Sequence, residues 1–151
     1  MRTITNSSEE TEQFGIEIST KLKGGNIVLL SGNLGAGKTA LVKGIAKGFG
    51  IKNTITSPTF TLMNIYDVRN TKTTKTRKMV HIDTYRLKDE QELIEIGAED
   101  YIGKPTTICL IEWPDKIEGL LQKFDPKNFI SIEIKQLENS NEREIVWSLP
   151  N

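Results

Sequence analysis

The sequence predicts an α/β fold in which a mainly parallel sheet is flanked by helices, with antiparallel strands at the edge and at the C-terminus. A short apolar segment, 27–30, is followed by a glycine-rich turn and a segment with helical spacing, the order of a strand–loop–helix unit. Two more short apolar segments, 78–82 and 107–111, lie on either side of an acidic helical region. In the last two segments, 130–134 and 145–149, apolar residues alternate with polar ones, which is typical of the two strands of a hairpin.

Length and charge set the first limits on function. The chain has 151 residues, with 20 Lys+Arg and 20 Asp+Glu, so we interpret 1–151 as one domain with no net charge. No apolar run approaches the roughly 20 residues that cross a bilayer, so we expect a cytoplasmic protein with no membrane partner. A balanced charge creates no global field for nucleic acid. We therefore expect no DNA partner, and any role with RNA would be local or indirect.

The sequence has one cysteine and one histidine, which argues against two kinds of chemistry. Cys109 lies inside the apolar run 108–111, which favours a small buried hydrophobic residue over a nucleophile. A single histidine, His81, cannot build a histidine-based zinc site. Thiol catalysis and histidine-bound zinc are therefore disfavoured.

The N-terminal half contains two predicted helices and one long predicted strand. Ser7 and Glu10 have the spacing of a capping box, and apolar residues recur every four positions, so a helix is predicted over about 8–22. After the first strand, apolar residues at helical spacing predict a second helix over 38–48. A period-two pattern then predicts a long strand over 60–68.

The rest of the chain predicts a basic loop, two short helical regions and a final turn. The segment 69–78 has no apolar residue and no acid, which indicates an exposed hairpin loop. Its basic residues are Arg69, Lys72, Lys75, Arg77 and Lys78. An acidic helical region is expected over 87–97 and one more short helix over 117–124. The turn of the C-terminal hairpin is expected at 139–141.

Residues 32–39 carry the strongest chemical signal. They match the pattern G-x-x-x-x-G-K-[ST] in full, between a predicted strand and a predicted helix. Glycines let backbone N–H groups surround phosphate oxygens, and the helix N-terminus adds partial positive charge. Lys38 is expected to reach the β- and γ-phosphates, and Thr39 can offer a hydroxyl to Mg²⁺. The residues expected to contact the nucleotide here are Asn33, Leu34, Gly35, Ala36, Gly37, Lys38, Thr39 and Ala40.

Two carboxylates are candidates for the metal side of this site. Asp83 ends the predicted strand 78–82, and Glu112 ends the predicted strand 107–111. Groups of this kind hold the metal where a strand ends at the rim of such a loop, although either residue could instead cap the next helix. If the two strands are parallel neighbours, both carboxylates reach the same metal. Spacing alone leaves open which one orders the metal and which one orients the attacking water.

Missing features narrow the class of nucleotide enzyme. There is no N-K-x-D segment for guanine, and Asp115-Lys116 lacks the preceding residues, so a GTPase is disfavoured. Small P-loop kinases clamp the transferred group with several lid arginines. The five arginines of this chain form no such cluster: Arg2, Arg69, Arg77, Arg86 and Arg143. A small-molecule kinase stays as an alternative, as does a binding module that holds ATP without hydrolysing it.

Four further blocks resemble one family. They are S-P-T-F within 56–60, H-x-D-x-Y-R-L at 81–87, E-W-P at 112–114 and R-E-I at 143–145. Together with the loop they span about 8–149 and are similar to the TsaE (YjeE) family, the bacterial ATPase component of the tRNA threonylcarbamoyladenosine (t6A) machinery. The resemblance implies a compact P-loop NTPase-like fold and weak intrinsic ATP hydrolysis.

The resemblance also implies partners. Two paralogous subunits, TsaD and TsaB, would act with this chain, and TsaD would transfer threonylcarbamoyl to adenosine 37 of tRNA. The ATPase would be needed for repeated turnover and would be stimulated by these partners. Its link to tRNA would then be indirect, through the complex.

Carried over residue by residue, the resemblance implies particular roles. Lys38 and Thr39 would contact phosphate and magnesium, Glu112 would be the metal-side carboxylate, and Asp83 would lie at the γ-phosphate. The catalytic set would then be Lys38, Asp83 and Glu112, with Thr39 and Glu112 on the metal.

The remaining carried-over positions have competing interpretations. Residues 56–59 resemble a switch-like loop whose hydroxyls, that of Thr59 included, could sense the γ-phosphate; the alternative is a proline turn into a strand. Trp113 would lie beside the nucleotide or the partner surface, with core packing as the alternative.

Two departures from the family pattern stand out. Asn33 occupies a position where the family commonly has Asp, which removes a negative charge but leaves the backbone cradle intact. The basic segment 69–78 is longer than the family's usual turn. We interpret it as solvated surface in preference to a tRNA contact.

Overall fold

A mixed sheet forms the centre of the structure, a computed structural model that describes residues 1–69 and 75–150. In the described residues its strands are β1 (Arg2–Thr5), β2 (Ile27–Ser31), β3 (Met63–Asp67), β4 (Lys78–Asp83), β5 (Thr107–Glu112), β6 (Phe129–Gln136) and β7 (Arg143–Ser148). The helices are α1 (Ser8–Ser19), α2 (Lys38–Gly48), α3 (Gln91–Glu95) and α4 (Glu118–Leu121). None of the helices in this part of the chain is both long enough and apolar enough to span a bilayer.

The order of the strands is β1-β7-β6-β2-β5-β4-β3. Strand β2 pairs in parallel with β5 and β6, and β4 pairs in parallel with β5. The pairs β1–β7, β6–β7 and β3–β4 are antiparallel. This arrangement confirms the predicted α/β class, with a parallel centre and antiparallel strands at the edge and the C-terminus. It also places the carboxyl ends of β2, β5 and β4 side by side.

The central strands are buried on both faces, as their continuous apolar runs predict. One face packs against α1 and α2, whose buried residues Ile18 and Leu41 join Leu110 of β5 in one core cluster. The other face packs against α3 and α4, and Cys109 belongs to that second cluster. Burial raises the pKa of the Cys109 thiol far above its ordinary range. The interpretation of this residue as a buried hydrophobic side chain is confirmed.

Helix α1 begins at the predicted cap and ends before the predicted residue. The N–H of Glu10 donates to Ser7 Oγ at 3.0 Å, while the Glu10 carboxylate accepts from the N–H of Asn6 at 2.7 Å. The helix ends at Ser19 because the next residues form tighter turns, in which the N–H of Leu22 donates to Ser19 O. Leu22 stays buried, so the apolar spacing continues past the end of the helix.

The long strand predicted over 60–68 is wrong at its beginning. Strand β3 starts at Met63, because Leu62 has a φ of 66° and its N–H donates to Pro58 O at 2.7 Å, which closes a turn. Phe60 lies on that turn and is 81% exposed. The alternating pattern runs through the turn and the strand alike, so it does not mark their boundary. Strand β1, a short edge strand, has no apolar alternation and was not predicted.

Several other predictions are confirmed in part. The region 87–97 ends at Gly97 as expected, but only Gln91–Glu95 is α-helical. The region 117–124 contains α4 after a 3₁₀ turn, Pro114–Ile117. The C-terminal turn forms where predicted, with the N–H of Glu142 donating to Asn139 O. Half of the basic loop, 70–74, lies outside the described residues, and Lys78 is the first residue of β4, paired with Asp67 at 2.9 Å.

Close packing of α1 against α2 generates a stability prediction. A Cβ on Gly44 would lie 2.0 Å from the backbone oxygen of Glu12 and 2.9 Å from the Cα of Gly15. Gly44→Ala must therefore push the helices apart, and we expect a loss of about 1–3 kcal/mol in the free energy of unfolding, measured by urea denaturation.

Gly119→Ala is the matched control for this substitution. There the three atoms nearest the new Cβ belong to the carboxylate end of Glu90, which accepts an exposed hydrogen bond from the N–H of Gly119 and can move without a shift of the backbone. The free energy of unfolding should therefore change by less than about 0.5 kcal/mol. Equal midpoints for Gly44→Ala and the unsubstituted protein would contradict the close-packing argument.

Candidate functional site

A cleft of about 630 Å³ opens where β2, β5 and β4 end. Its walls include the loop that joins β2 to α2, the strand-end residues Asp83 and Glu112, and Trp113. Ser57 and Thr59 contribute from the segment before β3, and Arg143 contributes from β7. The cleft is in the size range of small-molecule sites.

The glycine-rich loop, residues 32–39, presents free backbone donors to this cleft. Gly37, with a φ of 107°, directs the chain into α2, and a Cβ on Gly32 would meet Ile134 O at 2.6 Å. The N–H of Ala36 donates to Asn33 O at 3.0 Å. Within the described residues no protein acceptor pairs with the N–H groups of Gly35, Gly37, Lys38 and Thr39. Free donors at a helix N-terminus fit the oxygens of an anion such as a phosphate.

Lys38 brings a buried positive charge to the same place. The residue is 7% exposed, and its Nζ donates to Gly32 O and, at 3.3 Å, to Asn33 O. Nζ also lies 4.2 Å from the centre of the Trp113 ring. Burial lowers the pKa of Lys38, while the nearby carboxylates of Glu112 and Asp83 act in the opposite direction. The cleft therefore holds a cation beside two acids.

Asp83 is tied to the segment 56–59, which we call the switch segment. Its Oδ2 accepts from the hydroxyls of Ser57 at 3.2 Å and Thr59 at 3.1 Å. Its Oδ1 accepts from the N–H of Tyr85 at 2.9 Å. Both oxygens of the buried carboxylate therefore have protein donors, and one of them connects β4 to the switch segment.

Glu112 is the register partner of Asp83 on the neighbouring parallel strand. Its Oε2 lies 2.7 Å from Nε2 of His81, and the side chains of this pair are 6% and 2% exposed. The backbone oxygen of Glu112 accepts from the hydroxyl of Thr84 at 2.9 Å. The pairing of β4 with β5 thus brings the two predicted carboxylates together, as parallel neighbours should.

Trp113 lies at the wall of the cleft and belongs to neither core cluster. Its φ of 58° turns the chain sharply after β5, and its N–H donates to Leu30 O at 3.3 Å. The ring lies 5.2 Å from that of Tyr85, centre to centre. Of the two interpretations of Trp113, the geometry favours a position at the cleft over core packing.

Most residues predicted for the site line the cleft, and one does not. The lining includes Asn33, Leu34, Gly35, Gly37, Lys38, Thr39, Ala40, Thr59, Asp83, Glu112 and Trp113. Ala36 is 4% exposed and faces an adjacent hollow. The loop turns at Ala36, so its amide bonds within the loop instead of facing the cleft.

Arg143 is a site residue that the sequence pattern did not reveal. Its Nε donates to Ala36 O at 2.7 Å, its Nη2 to Gly35 O at 3.4 Å and its Nη1 to Ser140 O at 2.6 Å. Only the sheet order β7-β6-β2 brings this side chain to the glycine-rich loop. The sequence includes Arg143 in the R-E-I block that resembles the family, but the resemblance assigns no function to this block.

Comparison with known proteins decides the family. A sequence profile described as "Threonylcarbamoyl adenosine biosynthesis protein TsaE" matches residues 5–145. The chain belongs to the TsaE family. The resemblance of its motifs to that family is thereby confirmed, over a span close to the one predicted.

Individual TsaE relatives cover nearly the whole chain. The tRNA threonylcarbamoyladenosine biosynthesis protein TsaE of Treponema pallidum is 37% identical over 145 residues, 96% of this chain and 98% of that protein. The protein of the same name from Rickettsia bellii is 40% identical over 139 residues, 91% of this chain and 88% of that one. The crystal structure of Bacillus subtilis YdiB matches with a TM-score of 0.74 and 28% identity, covering 100% of this chain and 86% of that chain.

The Asp83 network predicts how the switch segment is held. Asp83→Ala removes the acceptor shared by Ser57 and Thr59, so amide hydrogen exchange over 56–62 should accelerate by about tenfold, the equivalent of one lost hydrogen bond to a charged group. Mass spectrometry of peptides measures this exchange.

Asp67→Ala is the control for this variant. Asp67 lies on β3, its side chain is 80% exposed, and it pairs only with Lys78 among the described residues, so exchange over 56–62 should stay unchanged. Unchanged exchange in Asp83→Ala would show that the switch segment is held by other contacts.

Proposed function

We propose that this chain is a cytoplasmic Mg·ATP-binding ATPase that is required for t6A modification at adenosine 37 of tRNA. It would act with TsaD and TsaB and permit repeated turnover. One observation supports the proposal most strongly. The backbone amides of the glycine-rich loop, Lys38, Thr39 and the carboxylates of Asp83 and Glu112 all line one cleft. The family context supports the pathway, because the relatives are named for threonylcarbamoyladenosine biosynthesis.

The glycine-rich loop and Lys38 would bind the triphosphate. Loop amides that have no acceptor in the described part of the chain would donate to phosphate oxygens, and the N-terminus of α2 would add its dipole. The Lys38 ammonium would exchange the carbonyls of Gly32 and Asn33 for phosphate oxygens, which carry more negative charge. Asn33 in place of the family's Asp leaves these backbone donors in place, so ATP binding is expected to be retained.

Thr39 and Glu112 would hold Mg²⁺. A hydroxyl and a carboxylate are oxygen ligands that Mg²⁺ accepts, together with phosphate oxygens and water. The bound metal would supply positive charge that stabilises the negative charge on the reacting phosphates. Among the described residues, Glu112 has a protein partner at Oε2 only, which leaves Oε1 for the metal side. Asp83 has donors at both oxygens and is therefore the weaker candidate for a metal ligand.

Asp83 would act together with the switch segment near the γ-phosphate. The hydroxyls of Ser57 and Thr59 lie 2.8 Å apart and share one oxygen of Asp83. A γ-phosphate could compete for these hydroxyls, which would make the switch segment responsive to the state of the nucleotide. Asp83, with fewer donors, could then orient the attacking water.

The proposed phosphate contact of Lys38 predicts the effect of its removal. Lys38→Ala removes a charge-assisted hydrogen bond to phosphate, so ATP affinity should fall by about 1.5–3 kcal/mol while the fold survives. Titration with a fluorescent ATP analogue measures the affinity, and circular dichroism checks the fold. Lys47→Ala is the control, since Lys47 lies on the same helix and pairs with Glu12. A folded Lys38→Ala protein with unchanged affinity would overturn the phosphate assignment.

The second prediction separates the two carboxylates. Glu112→Ala should lose the part of the nucleotide affinity that depends on Mg²⁺, because it removes a metal ligand. Asp83→Ala should keep that affinity and lose hydrolysis. Affinities with Mg²⁺ and with EDTA, and phosphate release, measure these effects. The opposite pattern would exchange the two roles, and mild effects in both variants would place the metal carboxylate elsewhere.

The third prediction tests the function as a whole. We expect slow ATP hydrolysis by the isolated chain and faster hydrolysis when a TsaD–TsaB pair is added. Following the labelled γ-phosphate separates the classes: free phosphate indicates an ATPase, and label on an acceptor indicates a kinase. Tight ATP binding without turnover, even with the partners, would indicate a binding module instead.

A gel-shift assay with tRNA, combined with the hydrolysis assay, tests whether this chain contacts RNA itself. With 20 basic and 20 acidic residues, the isolated chain should bind little tRNA near physiological salt, because few phosphates can be neutralised. Replacement of four basic residues by Ser, at Lys72, Lys75, Arg77 and Lys78, should leave the stimulation by partners and tRNA largely intact. Loss of stimulation with retained assembly would show that this segment contacts tRNA directly.

A further inference from the structure

His81 is buried beside the cleft and has no role in the function proposed above. It lies on β4, is 1% exposed, and its Nε2 is 2.7 Å from Oε2 of Glu112. Asp83 lies two residues further along the same strand, so His81 and Asp83 face the same side of the sheet. Glu112 is paired with Asp83 across the strands. The imidazole therefore supports the carboxylate from the interior side.

The second nitrogen of the ring determines where its hydrogen lies. His81 Nδ1 is buried and has no hydrogen-bond partner among the described residues. A hydrogen on Nδ1 would be a buried donor without an acceptor, which costs more than a bare nitrogen. The hydrogen on Nε2 has a carboxylate oxygen in reach. The contacts therefore favour the tautomer that donates from Nε2 to Glu112.

We propose that His81 is a positioning residue, which fixes Glu112 through this Nε2–H···Oε2 bond so that the other carboxylate oxygen, Oε1, serves the divalent cation. The proposal rests on the proposed function, in which Glu112 is a metal ligand. An outer partner of this kind fixes the orientation of a ligand that would otherwise rotate, and its loss costs about 10–100-fold in metal affinity. His81 itself touches neither metal nor nucleotide.

Two substitutions of His81 separate positioning from packing. His81→Leu removes the donor and keeps an apolar side chain, whereas His81→Gln keeps an N–H at about the reach of Nε2. The measured quantity is the ratio of ATP affinity with Mg²⁺ to that with EDTA, by titration with a fluorescent analogue. We expect His81→Leu to lower this ratio about 10–100-fold with the EDTA affinity unchanged, and His81→Gln to retain most of the ratio.

Ile82→Val controls for a general disturbance of β4. Ile82 is buried in the core cluster on the opposite face of the sheet, so this variant perturbs packing on the face away from the Glu112 side chain. Its Mg²⁺ ratio should match that of the unsubstituted protein. The proposal is overturned if His81→Leu keeps the ratio, if His81→Gln loses it as His81→Leu does, or if the EDTA affinity falls to the same extent.

NMR of the imidazole ring tests the proposed bond in the unsubstituted protein, without substitutions and without nucleotide. The chain has one histidine, so a preparation without a histidine tag shows one set of imidazole ¹⁵N signals. Long-range ¹H–¹⁵N spectra should show hydrogen on Nε2 and a bare Nδ1, and a bare Nε2 would overturn the proposed bond. If the unsubstituted protein binds ATP equally with Mg²⁺ and with EDTA, the proposed function fails, and the ring spectrum still decides the contact between His81 and Glu112.

Discussion

The parallel pairing of β5 with β2 on one side and with β4 on the other is the constraint on which the site depends. It aligns three strand ends, so that the glycine-rich loop, Glu112 and Asp83 meet at one edge of the sheet. Since Asp83 and Glu112 are register partners, a slip of one residue would turn one carboxylate to the other face. The apolar faces of these strands, buried between two layers of helices, hold the register in place.

The same edge of the sheet holds four buried ionisable side chains. Lys38, His81, Asp83 and Glu112 are each less than 9% exposed. Burial of charge is unfavourable unless the groups satisfy one another. Here the charge of Lys38 is attracted by those of Glu112 and Asp83, Asp83 accepts three hydrogen bonds, and Glu112 contacts an imidazole. These buried groups stabilise one another. Loss of one partner therefore leaves the others buried without a compensating interaction, which destabilises the folded state.

Local patterns predict the parts of this molecule whose structure is decided locally. The glycine-rich loop follows a strand and begins a helix within a few residues, and α2 has the predicted bounds, Lys38–Gly48. Apolar runs ending in an acid identify β4 and β5 because their burial is continuous. The turn at Leu62 escapes such analysis, since a positive φ at a leucine depends on contacts made by Pro58 and Asp83. Arg143 escapes as well, because only the order of distant strands brings it to the loop.

The hydrogen bonds between Arg143 and the glycine-rich loop connect segments that lie far apart in the sequence. The guanidinium bonds carbonyls of Gly35 and Ala36, which precede it by 108 and 107 positions. Ribosomes deliver a chain from its N-terminus, so the loop is made long before the side chain that steadies it. The β6–β7 hairpin must dock on β2 before the loop acquires this support. A growing chain therefore completes its binding cleft only after β7 has been synthesised.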